Sequence, residues 1–176
     1  SPSFSMLRYN ARSNKAGQLS QIATISLAAK TKPGVTMATL TFMNHTIFDH
    51  GASSQLAQTL AMHGIRRPLL CTDRGLVDLG MVDNLAANLG NDAALTIFDG
   101  TPENPTQVAV EEAVEKYQEA GCDGVVALGG GSSMDLAKAV ALAVTHDGDL
   151  IEYTAGLGGA GKIGQVAPLI AIPTTS

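Results

Sequence analysis

The sequence predicts an α/β fold in which a parallel sheet is covered by helices on both faces. Short apolar runs alternate at least three times with segments of helical spacing, which is typical of such sheets. The runs are continuously apolar rather than alternating, as expected for strands that are buried on both faces. The apolar run at residues 125–128 is followed by three consecutive glycines and then by a helical segment, so a tight glycine turn joins this strand to its helix.

The composition predicts one soluble, acidic globular domain. The chain has 176 residues, of which 45% are hydrophobic and 15% charged, and its formal net charge is −5. No apolar run is long enough to cross a bilayer, so no membrane association is expected. The excess of carboxylates argues against nucleic-acid binding. Cys71 and Cys122 are far apart and adjoin predicted strands, which favours buried, reduced thiols and a cytoplasmic protein.

Residues 1–36 have a different composition from the rest and are predicted to lie outside the folded domain. All sixteen carboxylates lie at Asp49 or later, so this segment is basic, and it has little periodicity. It is interpreted as a disordered leader or tag. An organelle transit peptide and an extension upstream of a start at Met37 fit the composition too. Residues 37–176 form the predicted domain.

The elements of this domain are predicted in order from periodicity and from glycine or proline boundaries. Residues 38–48 are predicted as an edge strand or hairpin. Gly64 ends the first helix and Gly80 interrupts the second. The predicted strands are 68–72, 93–98, 125–128 and 167–172, and the predicted helices are 53–63, 76–89, 107–120 and 132–144.

The glycine turn at residues 129–131 is the strongest candidate site. A strand, a glycine turn and a helix bring free backbone N–H groups and the positive end of a helix dipole to one point, which usually binds diphosphate. Ser132 and Asp135 have the spacing of a capping box, which would need no ligand. Three consecutive glycines favour the phosphate hypothesis, because a structural turn needs only one.

The residues beyond the predicted strand ends are Asp73, 99–104, 129–132, and Thr174 with Thr175, and in a parallel sheet these should converge. Asp73 could bind a ribose diol or cap a helix. Asn104 could contact a ribose or phosphate, although capping the helix ahead of Pro105 is the simpler interpretation. Thr174 and Thr175 offer hydroxyls at the last strand end. Asp135 could face a substrate, and Lys138 could neutralise it or lie on the outer face of the helix.

Taken together, these segments resemble the N-terminal half of the iron-containing (group III) alcohol dehydrogenases. The matching segments, over residues 48–176, are His50-Gly-Ala52 in part, Leu70-Cys-Thr-Asp73, Glu103-Asn-Pro-Thr106, Gly129-Gly-Gly-Ser-Ser-Met-Asp-Leu-Ala-Lys138 and Ile172-Pro-Thr-Thr-Ser176. Segments such as Gly64-Ile-Arg-Arg-Pro-Leu-Leu70 are most similar to the 4-hydroxybutyrate dehydrogenases of bacteria.

The resemblance implies a Rossmann-like, dehydroquinate synthase-like domain over residues 37–176 that binds NAD. It implies that the glycine turn holds the pyrophosphate, Asp73 the adenosine ribose, and Thr174 and Thr175 the nicotinamide side, with Asp135 near the reacting end. The candidate catalytic residue is therefore Asp135. The candidate cofactor-binding residues are Asp73, Asn104, Gly129, Gly130, Gly131, Ser132, Ser133, Lys138, Thr174 and Thr175.

The resemblance also implies a metal, iron or zinc, whose ligands lie in a helical domain of the family that has no counterpart in these residues. No metal ligand is therefore assigned here, and this chain alone is expected to be inactive. The complete protein is expected to be a homo-oligomer that oxidises a small alcohol to an aldehyde. A nucleotide-binding module without catalysis, and a relative of glycerol dehydrogenase or dehydroquinate synthase, remain as alternatives.

Overall fold

A computed structural model describes residues 5–9, 45–49, 52–89, 94–154, 156 and 158–174 of the chain. Strands and helices alternate over most of this length, as the sequence predicts. The strands are β1 (Ser5–Tyr9), β2 (His45–Asp49), β3 (Pro68–Cys71), β4 (Thr96–Phe98), β5 (Gly124–Gly129) and β6 (Leu169–Pro173). The helices are α1 (Leu56–Met62), α2 (Arg74–Asp78), α3 (Met81–Ala87), α4 (Gln107–Glu119) and α5 (Gly131–Ala143), and short 3-10 helices span Ala52–Gln55, Leu150–Tyr153 and Gly159–Lys162.

The six strands form one sheet in the order β2-β1-β6-β5-β3-β4. Strands β6, β5, β3 and β4 are mutually parallel, which confirms the predicted parallel sheet. Strands β1 and β2 extend it as an antiparallel pair, with β1 also antiparallel to β6. Strand β2 lies at the edge, where residues 38–48 were predicted to contribute an edge strand. The carboxyl ends of the four parallel strands therefore lie at one edge of the sheet.

Helices cover both faces of the parallel strands, and each face has its own hydrophobic core. Along β5, Val125 and Ala127 pack on one side against helices α4 and α5. Val126 and Leu128 pack on the other side against helices α1 and α3. Every residue of β5 is buried, which explains why its sequence is continuously apolar instead of alternating.

The structure corrects the prediction for residues 1–36 at one place, because Ser5–Tyr9 form strand β1 within the sheet. This strand pairs with β2 over five residues, from Ser5 opposite Asp49 to Tyr9 opposite His45. The local sequence pattern does not identify this strand, because it is short and is held in the sheet by partners that are distant along the chain. The rest of the predicted leader lies outside the described residues, and its interpretation stays a prediction.

Two glycines divide the helices where the sequence predicts. Gly64, after α1, and Gly80, between α2 and α3, have φ angles of +69° and +70°. L residues with side chains rarely adopt this left-handed conformation, so each glycine permits a turn that ends the preceding helix. Among the described residues, no helix is both long and apolar enough to cross a membrane.

Candidate functional site

The ends of the parallel strands converge on one edge of the sheet, and hydrogen bonds tie them together. Strands β3 and β4 are joined just beyond their ends by a bridge between Asp73 and Gly100. At the end of β6, the Thr174 N–H donates to the Gly129 carbonyl at the end of β5, at 3.0 Å. The structure therefore brings together the strand ends that the sequence analysis expected to form a site.

The glycine turn has a backbone that only glycine fits well at its first position. Gly129 has a φ angle of +145°. A Cβ atom there would lie 2.5 Å from the Ser133 Oγ and 2.9 Å from its Cβ. Ser133 is itself buried as the third residue of α5. A glycine is therefore required at position 129 by its backbone conformation and by its packing against Ser133. Its contact with a cofactor stays a prediction.

The next two glycines leave an open anion-binding geometry at the start of α5. Gly130 is the N-cap residue, and no side chain caps the helix. A Cβ atom on Gly131 would meet nothing within 4 Å, so the space beside this backbone is open. In the part of the chain that the structure describes, no hydrogen bond occupies the N–H groups of Gly131, Ser132 and Ser133. These three donors lie at the positive end of a 13-residue helix, which suits a phosphate.

The capping box that could have replaced a ligand does not form. The Ser132 hydroxyl donates instead to the carbonyl of Glu103 at 2.5 Å. The Asp135 carboxylate is paired with the Lys138 ammonium at 3.1 Å. Ser132 thus ties the loop after β4 to the start of α5, and its hydroxyl proton is not free to donate to a phosphate.

Asp73 caps a helix, one of the two roles that its sequence position allows, and its ribose contact stays a prediction. Its Oδ1 atom accepts a hydrogen bond from the Leu76 N–H at 3.1 Å, so Asp73 is the N-cap of α2. The residue is also half-buried at the edge of the site, beside the end of β4. Capping uses one carboxylate oxygen, and a ribose diol could still bind the other, so both interpretations stand together.

Asn104 does not cap helix α4, contrary to the simpler interpretation of its sequence. Thr106 is the N-cap, because its hydroxyl accepts from the Ala109 N–H at 3.2 Å. Asn104 is exposed in the loop after β4 and carries no structural task that the described contacts show. Its proposed contact with a cofactor remains a prediction.

The remaining candidates lie at different distances from the turn. Thr174 is exposed at the end of β6; its N–H donates to the Gly129 carbonyl, and its hydroxyl has no hydrogen-bond partner among the described residues. Thr175 lies outside the described residues. Asp135 follows Gly131 by one helical turn and is exposed, and Lys138 lies almost one turn further along the same helix, paired with it. Both alternatives for Lys138 therefore hold, since it neutralises Asp135 and lies on an exposed face.

A cleft with a volume of about 410 Å³ adjoins the strand ends. The ends of β5 and β6 contribute Leu128, Ile172 and Thr174, and helix α3 contributes Asn84 and Asn88. Apolar walls with a few amide and hydroxyl groups are typical of pockets for flat organic ligands. The cleft lies on the Thr174 side of the strand ends, and its lining includes Leu128, the residue before the glycine turn.

Three further polar residues lie at this edge: Asp99 and Thr101, which belong to the predicted strand-end segment 99–104, and Thr72, which was not predicted. Asp99 follows β4 and forms an ion pair with Arg74, with Nη2 and Oδ2 at 2.7 Å. Thr72 and Thr101 have buried hydroxyls without a hydrogen-bond partner among the described residues, and the Thr101 N–H donates to the Thr72 carbonyl at 3.3 Å. Asp99 was predicted at the strand ends without a role of its own, and its strand is the parallel neighbour of the strand that ends before Asp73.

The two cysteine thiols lie in the core, and their raised pKa values exclude them as nucleophiles at the strand ends. Burial, with a smaller effect of Cys122, raises the pKa of the Cys71 thiol to about 12. Burial likewise raises the pKa of Cys122, although its hydrogen bond with Thr96 lowers it in part. Both thiols are therefore protonated near neutral pH and cannot act as thiolate nucleophiles.

In the described part of the chain, no group of three or more His, Cys, Asp or Glu residues is placed to hold a metal ion. The strand ends hold scattered carboxylates instead, such as Asp73, Asp99 and Asp135, each with a partner of its own. The donors that the described residues provide at this edge are therefore backbone N–H groups and separate carboxylates.

Comparisons with known proteins assign the chain to a family. The model of the iron-containing alcohol dehydrogenase family matches residues 44–176. The 4-hydroxybutyrate dehydrogenase of Cupriavidus necator is 47% identical over 141 residues, which are 80% of this chain and 37% of that protein. Choline dehydrogenase of Bacillus subtilis is 35% identical over 77% of this chain and 35% of its own length. The chain thus spans about a third of the length of these relatives.

Solved structures show the same fold. The crystal structure of NADH-dependent butanol dehydrogenase A from Thermotoga maritima has a TM-score of 0.60 and 27% identity, over 68% of this chain and 30% of that one. Sulfoacetaldehyde reductase from Bifidobacterium kashiwanohense, in complex with NAD+, has a TM-score of 0.54 and 25% identity, over 69% of this chain and 39% of that one. From its family match, its relatives and its fold, the chain belongs to the iron-containing alcohol dehydrogenase family.

Proposed function

We propose that this chain binds NAD and forms the coenzyme-binding part of an alcohol dehydrogenase. The observation that carries the proposal is the start of α5, where the N–H groups of residues 131–133 have no hydrogen-bond partner among the described residues and the space beside Gly131 is open. A pyrophosphate would accept hydrogen bonds from these groups and gain from the helix dipole. The solved relative that is in complex with NAD+ has this fold, which supports the choice of ligand.

The other strand ends provide the remaining contacts for the coenzyme. The Asp73 carboxylate accepts from the adenosine ribose hydroxyls with the oxygen that does not cap α2. The Thr174 hydroxyl and the cleft beside it face the nicotinamide half. Asp135 lies one turn into α5 and orients groups at the reacting end, while Asn104, Lys138 and Thr175 complete the rim. Because the Ser132 hydroxyl donates to Glu103, that residue binds phosphate through its backbone N–H.

The proposed reaction oxidises a small primary alcohol or hydroxyacid, with 4-hydroxybutyrate as the first substrate to test. A hydride leaves the alcohol carbon for the nicotinamide, the hydroxyl proton goes to solvent, and the products are an aldehyde, NADH and a proton. The most similar of the named relatives, at 47% identity, is a 4-hydroxybutyrate dehydrogenase, which supports this substrate. These residues contribute by holding NAD in a fixed position, which lowers the entropic cost of bringing the nicotinamide and the alcohol carbon together.

A divalent metal, iron or zinc, is proposed for the complete enzyme, because the chain belongs to an iron-containing family. When bound, such an ion polarises the alcohol oxygen and lowers the pKa of the hydroxyl. The described residues provide no donor set for it, so its ligands are proposed to lie outside them. We further propose that the enzyme is cytoplasmic and acts as a homo-oligomer.

The test uses the complete polypeptide that carries this sequence. Calorimetric titration with NAD measures binding, and NADH absorbance with 4-hydroxybutyrate, 1,3-propanediol and choline measures turnover. We expect NAD to bind, and we expect a chelator to abolish turnover while NAD binding persists, because the phosphate site contains no metal ligand. Absence of NAD binding would refute the proposed function. Turnover of another alcohol in place of 4-hydroxybutyrate would refute only the substrate.

A further inference from the structure

The ion pair between Arg74 and Asp99 lies beside the candidate ribose carboxylate. Strands β3 and β4 are parallel neighbours, with Cys71 opposite Phe98, so the residues that follow them are also adjacent. Arg74 directly follows Asp73, and its Nη2 atom lies 2.7 Å from the Asp99 Oδ2. Two carboxylates and one guanidinium therefore share this strand end.

Stability of the fold does not explain why an arginine occupies this position. Arg74 is the first residue of α2, where the positive end of a helix disfavours a cation. The side chain of Arg74 is 75% exposed and that of Asp99 is 32% exposed. Exposed ion pairs contribute little to stability, because solvent screens them and ordering two side chains costs entropy. The pair therefore calls for a different role.

The position of the pair matters for a nucleotide whose ribose binds Asp73. NADP differs from NAD by a phosphate on the ribose 2′ oxygen, and a cation beside that oxygen is what would neutralise it. Within residues 68–79 and 94–106, Arg74 is the only Lys or Arg. It is thus the single side chain of these strand ends that could bind a 2′-phosphate, and Asp99 already neutralises it.

We propose that Asp99 is a specificity-determining residue, which pairs with the Arg74 guanidinium and so weakens the interaction of Arg74 with a 2′-phosphate. Discrimination against NADP then depends on two side chains: the Asp73 carboxylate, and the Arg74 guanidinium that Asp99 neutralises. The inference rests on the proposed function, since it assumes that a dinucleotide binds with its ribose at Asp73. Asp99 acts through Arg74 and is a positioning residue, not a catalytic one.

The test measures NAD and NADP dissociation constants by calorimetry on the complete polypeptide carrying Asp99→Asn. A freed guanidinium can form charge-assisted hydrogen bonds with the 2′-phosphate, so we expect NADP to bind about tenfold more tightly. The NAD constant should stay within about threefold, because NAD has no group for Arg74 to bind. Asp99→Ser serves as a second variant that also removes the charge.

Two further variants isolate the cause. Adding Arg74→Gln to Asp99→Asn should return NADP affinity to the wild-type level, because the cation responsible is gone. Glu152→Gln is the matched control, since it releases Lys162 from a similarly exposed pair at 3.4 Å in the segment between α5 and β6. This control should change neither constant.

Three results would overturn the inference. Unchanged NADP affinity in both Asp99 variants, with NAD still bound, would show that Asp99 does not restrain Arg74. Parallel weakening of NAD and NADP would assign Asp99 a purely structural role. If the wild-type protein bound neither coenzyme, the proposed function would fail and this inference with it, and that result is distinguishable because it needs no variant.

Discussion

Gly129 and Gly131 lie in one turn but are glycines for different reasons. Gly129 has a φ angle of +145° and no room for a side chain, so packing against Ser133 fixes it. Gly131 is the first residue of α5, and a Cβ atom there would meet nothing within 4 Å. The fold alone does not explain the absence of a side chain at Gly131. Close approach of a ligand to the backbone does explain it.

This difference predicts that Gly131→Val abolishes NAD binding without unfolding the protein. The new side chain would fill the space that a pyrophosphate needs to reach the N–H groups of α5. We expect at least a tenfold loss of NAD affinity, equivalent to about 1.4 kcal/mol or more. Gly161→Val is the matched control, because that glycine also has nothing within 4 Å of its Cβ position and lies outside the site. Wild-type NAD affinity in a folded Gly131→Val protein would remove the glycine turn from the coenzyme site.

The buried thiol of Cys71 makes the free energy of unfolding depend on pH in the alkaline range. Burial raises the pKa of its thiol to about 12, whereas an unfolded chain ionises near its ordinary value of 9.0. Between these two values the unfolded state binds fewer protons than the folded state, so stability falls as the pH rises. Three pH units correspond to a loss of at most about 4 kcal/mol.

We therefore expect the free energy of unfolding to fall above about pH 9, and Cys71→Ala to make the fall shallower. The variant loses some stability at every pH, because it leaves a small cavity, but that loss is constant. Urea unfolding at neutral pH and at about pH 10.5 measures both effects. Part of the slope should persist in the variant, since the pKa of Cys122 is raised too. Equal slopes in the two proteins would contradict the assignment to Cys71.

At the level of the elements, each helix near the site begins in a different way. Helix α2 is capped by Asp73 and helix α4 by Thr106, while α5 begins at Gly130 without a side-chain cap. Satisfied N–H groups at the first two helices leave little for a ligand, whereas the third keeps its donors free. Of the three helices that follow β3, β4 and β5 in the chain, α5 is therefore the one that begins without a side-chain cap.

This comparison predicts different costs for two substitutions in the loop before α4. Thr106→Ala should lower the free energy of unfolding by about 1 kcal/mol, because it removes the acceptor of the Ala109 N–H. Asn104→Ala should change it by less than about 0.5 kcal/mol, because Asn104 is exposed and caps nothing. Urea unfolding of both variants makes the measurement. A larger loss for Asn104→Ala than for Thr106→Ala would show that Asn104 is the cap.

For the molecule as a whole, most of the parallel sheet and its covering helices could be predicted from the sequence. The continuous apolar run of β5 and the glycines at 64, 80 and 129–131 are local sequence signals. Each of them predicted a strand, a turn or a helix end that the structure contains. Features that depend on partners distant in the chain were not predictable in this way. The Ser132 hydroxyl reaches Glu103, and Arg74 reaches Asp99, across 29 and 25 residues. Strand β1 has no local signal because its partners begin about 36 residues later.

The place of β1 in the sheet gives the last prediction. It lies between β2 and β6 and is antiparallel to both, with Arg8 opposite Ala171 of β6. Deletion of residues 1–9 would remove hydrogen bonds to both neighbours, each contributing about 1 kcal/mol, so we expect a loss of several kcal/mol in the free energy of unfolding. Because β6 leads to Thr174, NAD affinity should fall as well.

Deletion of residues 1–4 is the control, since it leaves Ser5–Tyr9 in place and should change stability little. Urea unfolding and NAD titration of both deletions in the complete polypeptide make the comparison. Equal stability of the two deletions would favour the disordered leader that composition predicts for residues 1–36. A loss confined to the longer deletion would place the start of the folded domain at β1, because only a strand within the sheet can stabilise β6 from that position.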